Sequence, residues 1–168
     1  GVASALIAPL EAGFNGKIVL EGASPIGNKL LQEIFDKKLS IYDDATLPYQ
    51  PQSRPFDDEG IASRRLPLIE KGVVKNFFYD LKTAARAGKT STGHAARSSS
   101  QPVPAPAAFV VSNGDIDFNA MLSGIDEGLI IENLMGAEQG NILGGDFSGN
   151  VLLGYKIEHG KIKGRVKD

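Results

Sequence analysis

The stretch Ser53-Arg54-Pro55-Phe56-Asp57-Asp58-Glu59-Gly60-Ile61 places three consecutive acids between a proline-fixed aromatic and a glycine. Like charges this close repel, so the run needs an outlet: water, a cation such as Arg54, Arg64 or Arg65, a metal ion or a peptide amine. Asp57, Asp58 and Glu59 offer the oxygen chemistry that a hard divalent cation takes, without the ligand spacing of an EF-hand loop. The other reading is a solvated turn at the mouth of a sheet.

Two imidazoles, His94 and His159, complete the inventory, and their separation matches no recognised zinc-ligand spacing. His159 precedes Gly160 and reads as an exposed hairpin turn. His94 lies in the polar loop Thr90–Arg97, with Thr92, Gly93 and Arg97 around it, and is the better placed to meet a ligand. Arg97 with Ser98–Ser100 reads as an anion site or as a polar loop. Gly145-Asp146-Phe147-Ser148-Gly149 fails as a nucleophile elbow, because the glycine spacing is wrong and a strand pattern comes next where a helix is needed. It fails equally as a phosphate loop, lacking Gly-Lys-Ser/Thr. No general acid-base pair emerges from spacing.

The elements that must position these groups fit in 168 residues, enough for one ordinary domain with a real core. At 42% apolar and 23% charged residues the chain reads as folded rather than disordered. A net charge of −2 with interspersed signs leaves no footprint for direct nucleic-acid binding. Lys161, Lys163, Arg165 and Lys167 alternate with Ile162, Gly164 and Val166, as on the solvent face of a strand. No cysteine is present, which removes thiol nucleophiles and Cys-type zinc sites and suits a reducing cytoplasm. Apolar runs such as Ala5–Ala8 and Ala107–Val111 are too short for a bilayer, and no signal-peptide pattern appears. The expected location is cytoplasmic, with no membrane association.

Val2–Ala12 is helix-compatible, with Pro9 set to kink or end it. Lys17–Glu21 suggests a short strand, Ser24-Pro25 the start of a helix to about Phe35, and Leu39–Tyr42 a strand. Leu47–Pro55 is a loop. Leu66–Glu70 and Val73–Tyr79 around Lys71-Gly72 carry the clearest hairpin signal. Leu81–Ala87 reads as a helix ended by Gly88, and Lys89–Pro106 as irregular. Ala108–Ser112 is then a strand. Asp117 caps a helix over Phe118–Gly124, with Met121, Leu122 and Ile125 inward. Strands at Leu129–Ile131, Val151–Ile157 and Lys161–Val166, with a glycine turn at Gly144–Phe147 between the first two and the His159-Gly160 turn before the last, complete the pattern. Short helices succeeded by antiparallel strands predict an α+β fold, predominantly antiparallel and barrel-like.

Several of these segments, in order, resemble the TldD/PmbA family, metallopeptidase-like proteins once described as modulators of DNA gyrase. They are Leu39-Ser40-Ile41-Tyr42-Asp43-Asp44, Phe56-Asp57-Asp58-Glu59-Gly60, Leu68-Ile69-Glu70-Lys71-Gly72-Val73, Thr83-Ala84, Ser91-Thr92-Gly93-His94-Ala95 and Gly145-Asp146-Phe147-Ser148. The resemblance implies that residues 1–168 form one C-terminal domain. A family N-terminal α/β domain and the last family strands are expected outside this sequence.

The family's catalytic branch carries His-Glu-x-x-x-His on a helix, two imidazoles holding zinc and a glutamate activating water, with a downstream cysteine. The matching place here reads Leu6-Ile7-Ala8-Pro9-Leu10-Glu11-Ala12-Gly13, without either histidine, and Glu11 is expected as a surface or helix-end charge. His94 stands where the family more often has asparagine.

The resemblance therefore implies the PmbA-type branch: a partner subunit with no catalytic residue, metal or cofactor of its own. The expected partners are a TldD-like catalytic subunit or a second copy, and peptides. Asp57, Asp58, Glu59, Thr92, Gly93, His94 and Arg97 are then candidates for a cleft or partner surface. An independent hydrolase built on Asp57, Asp58, Glu59 and His94, and a gyrase-modulating interaction protein, stand as alternatives.

Overall fold

The structure, a computed structural model, describes residues 2–97, 100–137, 140–146 and 148–166; Ser98, Ser99, Phe147 and Lys167 lie outside them. It divides into two compact units, Glu11–Ser112 and Gly1–Leu10 with Asn113–Asp168.

Helix α1 (Val2–Gly13) is rich in strong helix formers and continues a turn past Pro9. Two neighbouring residues secure its last turn. Phe14 is fully buried, and Ser24 Oγ donates to the Gly13 carbonyl at 2.6 Å. The expected strand at Lys17–Glu21 is instead helix α2 (Gly16–Leu20). Asn15 decides this: its side chain accepts from Lys17 N at 2.9 Å and donates to Pro104 O at 2.8 Å. An N-cap tied down at both ends outweighs the weak strand preference of Ile18 and Val19.

The helix expected from Ser24 to Phe35 is a series of turns. Besides α2, the unit Glu11–Ser112 contains β1 (Ile41–Asp44), β2 (Arg65–Glu70), β3 (Val73–Val74), α3 (Leu81–Ala87), β4 (Ala95–Ala96), β5 (Val103–Pro104) and β6 (Phe109–Val111). Edge strand β3 takes the hydrogen bonds that a helix over 24–35 would have kept. Leu31 N donates to Val74 O at 2.8 Å, Val74 N to Gln32 O at 3.0 Å, and Ile34 N to Gly72 O at 3.1 Å. Covering an exposed sheet edge satisfies the same backbone groups and hides a pairing surface.

The main sheet is antiparallel in the order β3-β2-β1-β6, with β4 and β5 forming a separate pair. Lys71 and Gly72 turn the β2–β3 hairpin with φ of +47° and +81°, as a two-residue loop of the favoured twist requires. The second strand is far shorter than expected. Phe77 and Phe78 are both buried, which a strand with one solvent face does not allow. Strand β1 begins two residues later than expected, so Ile41 and Asp43 both point into the core. Phe14, Phe78, Ile41, Leu68, Ile69 and Val74 fill that core. Helix α3 ends with Gly88 in the left-handed conformation, as its sequence indicates, and takes Asp80 as its N-cap.

The other unit contains α4 (Phe118–Ser123), β7 (Glu127–Met135), β8 (Asn150–Glu158) and β9 (Lys161–Val166). The strands form an antiparallel meander, β7-β8-β9. Asp117 caps α4 through the amides of Asn119 and Ala120 at 2.8 and 3.0 Å. Met121, expected inward, is 54% exposed. Where a glycine turn is expected there is one tight turn, Ile142–Gly144, followed by Gly145 at φ +86°. Asn141 sets it by accepting from Gly144 N on its side chain at 3.1 Å and from Asp146 N on its carbonyl at 3.1 Å. His159 is exposed in the β8–β9 turn and meets Asp126 at 2.6 Å.

The class is α+β, and the described strands form three open sheets rather than a closed barrel. Among the described residues no helix is long and apolar enough to cross a membrane.

Candidate functional site

The three consecutive acids disperse. Asp57 is buried, and its carboxylate accepts from Glu59 N at 3.0 Å, Ile61 N at 2.9 Å and Ala95 N at 3.0 Å. Asp58 points outward. It accepts from Arg97 N at 2.6 Å and faces the Arg54 guanidinium at 3.6 Å. Glu59 accepts from Leu81 N at 2.7 Å, at the start of α3. Each carboxylate is thus spent on a different stretch of backbone. Among the described residues no three acidic or imidazole side chains converge as a metal site.

The loop before β4 is fixed from several sides. Thr92 N donates to Tyr79 O at 3.0 Å, and Thr92 Oγ1 accepts from Tyr79 N at 2.9 Å. Gly93 has φ +75°, and a Cβ there would sit 2.6 Å from Ala62 O, so only glycine fits. The next residue, His94, is not a loop residue facing a ligand. Its ring is fully buried against Phe78, with centroids 5.1 Å apart. Nδ1 lies 2.8 Å from Thr92 O and Nε2 lies 3.1 Å from Asp43 Oδ1. Both partners accept, so both bonds form when each ring nitrogen carries a proton.

Asp43 is the residue that sequence reasoning missed. Read as the end of a strand, it lies inside the sheet and is fully buried. Besides His94 it accepts from Ala107 N at 3.0 Å and Ala108 N at 3.3 Å, so one carboxylate joins β1, the His94 loop and the approach to β6. Its alternation with Ile41 was the available signal. Glu11 lies in the last turn of α1, the helix-end place expected, but it is half-buried. Burial first, and then the charge of Asp43, push its carboxyl above the ordinary value of 4.5. Tyr79, beside Thr92, has its phenol pushed up by burial.

The segments Asp57–Gly60 and Ser91–Arg97 meet. Ala95 N reaches Asp57, Asp58 N donates to Ala95 O at 3.2 Å, and Arg97 N reaches Asp58. Arg54 Nη2 also donates to Ala95 O, at 3.1 Å. Arg97 itself is exposed, its guanidinium 3.3 Å from Ser100 O. The arrangement holds two loops together and presents Asp58 and Arg97 outward. It does not juxtapose the acids with His94 as a catalytic set.

Comparison with known proteins gives a consistent result. Residues 1–168 match the family described as PmbA/TldA metallopeptidase C-terminal domain. An uncharacterized Methanocaldococcus jannaschii protein is 35% identical over 154 residues, covering 91% of this chain and 36% of that protein. Among solved structures, TldE from Thermococcus kodakarensis superimposes with a TM-score of 0.87 at 28% identity, over 96% of this chain and 38% of its own. A Thermotoga maritima protein named as a modulator of a DNA gyrase does so with a TM-score of 0.84 at 31% identity, over 97% and 37%. The chain spans about a third of the length of the curated relatives it matches.

Proposed function

The chain belongs to the PmbA/TldD metallopeptidase-like family, and on that premise we propose that it serves as the non-catalytic partner subunit of a peptidase pair that processes peptides. The observation that carries this reading is the position of His94. A zinc-binding imidazole must leave one ring nitrogen free to coordinate. His94 has one nitrogen on Asp43 and the other on a backbone carbonyl. The other imidazole, His159, sits in the β8–β9 turn beside Asp126.

The family implies a zinc ion held by helical histidines, and the residues present do not fit it. Helix α1 carries Glu11 as its single ionisable side chain, and the chain has no cysteine. Asp57, Asp58 and Glu59 are committed to backbone amides, which also counts against a separate hydrolase centred on them.

The joined segments Asp57–Gly60 and Ser91–Arg97 then form a cleft or partner surface, with the exposed Asp58 and Arg97 as its contacting groups. The partner is a TldD-like subunit bearing the histidine pair, or a second copy, and the pair acts in the cytoplasm. Metal analysis of the intact purified protein tests this reading. Less than about one-tenth of a zinc per chain after dialysis is expected, because a structural or catalytic zinc site binds tightly enough to survive it. Stoichiometric zinc would overturn the reading.

A further inference from the structure

We propose that a pocket beside β2 docks the free carboxylate at the C-terminal end of a peptide, with an apolar last side chain beneath it. The pocket encloses about 260 Å³. That is below the roughly 300–1,000 Å³ that encloses a whole small ligand, and it suits the end of a chain. Its apolar part is Leu66 and Phe77, both buried, with Leu30 at the rim. Around it stand Arg64, Lys75 and Lys89, and among the described residues no acidic side chain lines it.

The cations differ in how they are held. Lys75 is engaged with Glu70 at 3.3 Å. Arg64 is fixed by backbone alone: Nε donates to Thr92 O at 3.1 Å and Nη2 to Ser91 O at 2.5 Å. These carbonyls orient the guanidinium without neutralising it. Among the described residues neither Arg64 nor Lys89 has a carboxylate within ion-pair distance. A planar fork held in place with its charge uncompensated is suited to a carboxylate, and Lys89 adds a second positive charge at the mouth. Tyr79 also lines the wall.

The choice of a peptide rests on the function proposed above, whereas the choice of a carboxylate rests on the pocket. The test is binding, measured by fluorescence anisotropy on the intact protein. The probes are fluorescein-labelled Gly-Gly-Gly-Leu-Leu with a free C-terminus, its C-terminal amide, and the amide of Gly-Glu-Gly-Leu-Leu. The free acid is expected to bind at least about tenfold more tightly than its amide, the scale of one charge-assisted hydrogen bond. Lys89→Gln alters an exposed side chain and is expected to erase most of that preference. Arg64→Gln should do the same, with thermal melting checking that the Ser91–Thr92 loop stays folded.

Equal affinity for acid and amide would overturn the proposal. So would a preference unchanged in Lys89→Gln, or tighter binding of the internal-glutamate amide than of the free acid. The readout is binding without cleavage, so it stands or falls separately from the metal analysis.

Discussion

Asp43 Oδ1 lies 3.1 Å from His94 Nε2, with both side chains fully excluded from water. The pair joins the first strand of the main sheet to the loop that precedes β4. A buried pair of this kind is costly to break from one side, because the remaining group loses its partner without regaining water. His94→Ala and Asp43→Ala are each expected to cost about 3–5 kcal/mol in urea unfolding. The double variant should cost clearly less than their sum, since one interaction is lost only once. Additive costs would show that the two side chains act independently.

Glu11 predicts a pH dependence whose sign is fixed by its burial. Its carboxyl is raised above 4.5 in the folded chain, so the folded state holds that proton more tightly than the unfolded state. The stability it contributes is fully present below 4.5 and is lost as pH rises through the folded value. Glu11→Gln should therefore raise the urea midpoint at neutral pH and flatten its decline above 4.5. An unchanged slope in the variant would place the effect elsewhere.

The acidic run predicts unequal costs along three adjacent residues. Asp57→Ala strips acceptors from three backbone amides and should cost about 3 kcal/mol, as buried donors left unpaired do. Asp58→Ala removes one exposed ion pair and one exposed hydrogen bond, whose donor Arg97 N water can then satisfy, and should change stability by less than about 1 kcal/mol. Similar costs at both positions would contradict this division of labour.

Gly93→Ala combines a positive φ with a Cβ placed against Ala62 O. It is expected to cost more than about 1 kcal/mol and to lower the melting temperature by several degrees. A neutral effect would mean that the loop takes another backbone path.

What was legible in the sequence was local. The Lys71-Gly72 turn, the Gly88 end of α3 and the Asp117 cap of α4 all rest on residues within a few positions of the element they shape. The failures were non-local. Residues 24–35 have a helix start signal, but the edge of β3 claims their amides from forty residues away. Lys17–Glu21 has strand composition, but Pro104 and Phe78 fix Asn15 and Gly16 as the start of a helix. The candidate site divided in the same way. His94 stood out because imidazoles are scarce, while its partner Asp43 was concealed in a pair of aspartates that reads as the end of a strand.

The central claim, a family member that supports peptide processing without carrying the catalytic zinc, is tested most directly by peptide cleavage. The intact protein is assayed alone and after addition of a relative that carries His-Glu-x-x-x-His, with unfolded peptides as substrate. The account predicts no cleavage above background by this protein alone and cleavage once the partner is added. Zinc-dependent cleavage by this protein alone would contradict it.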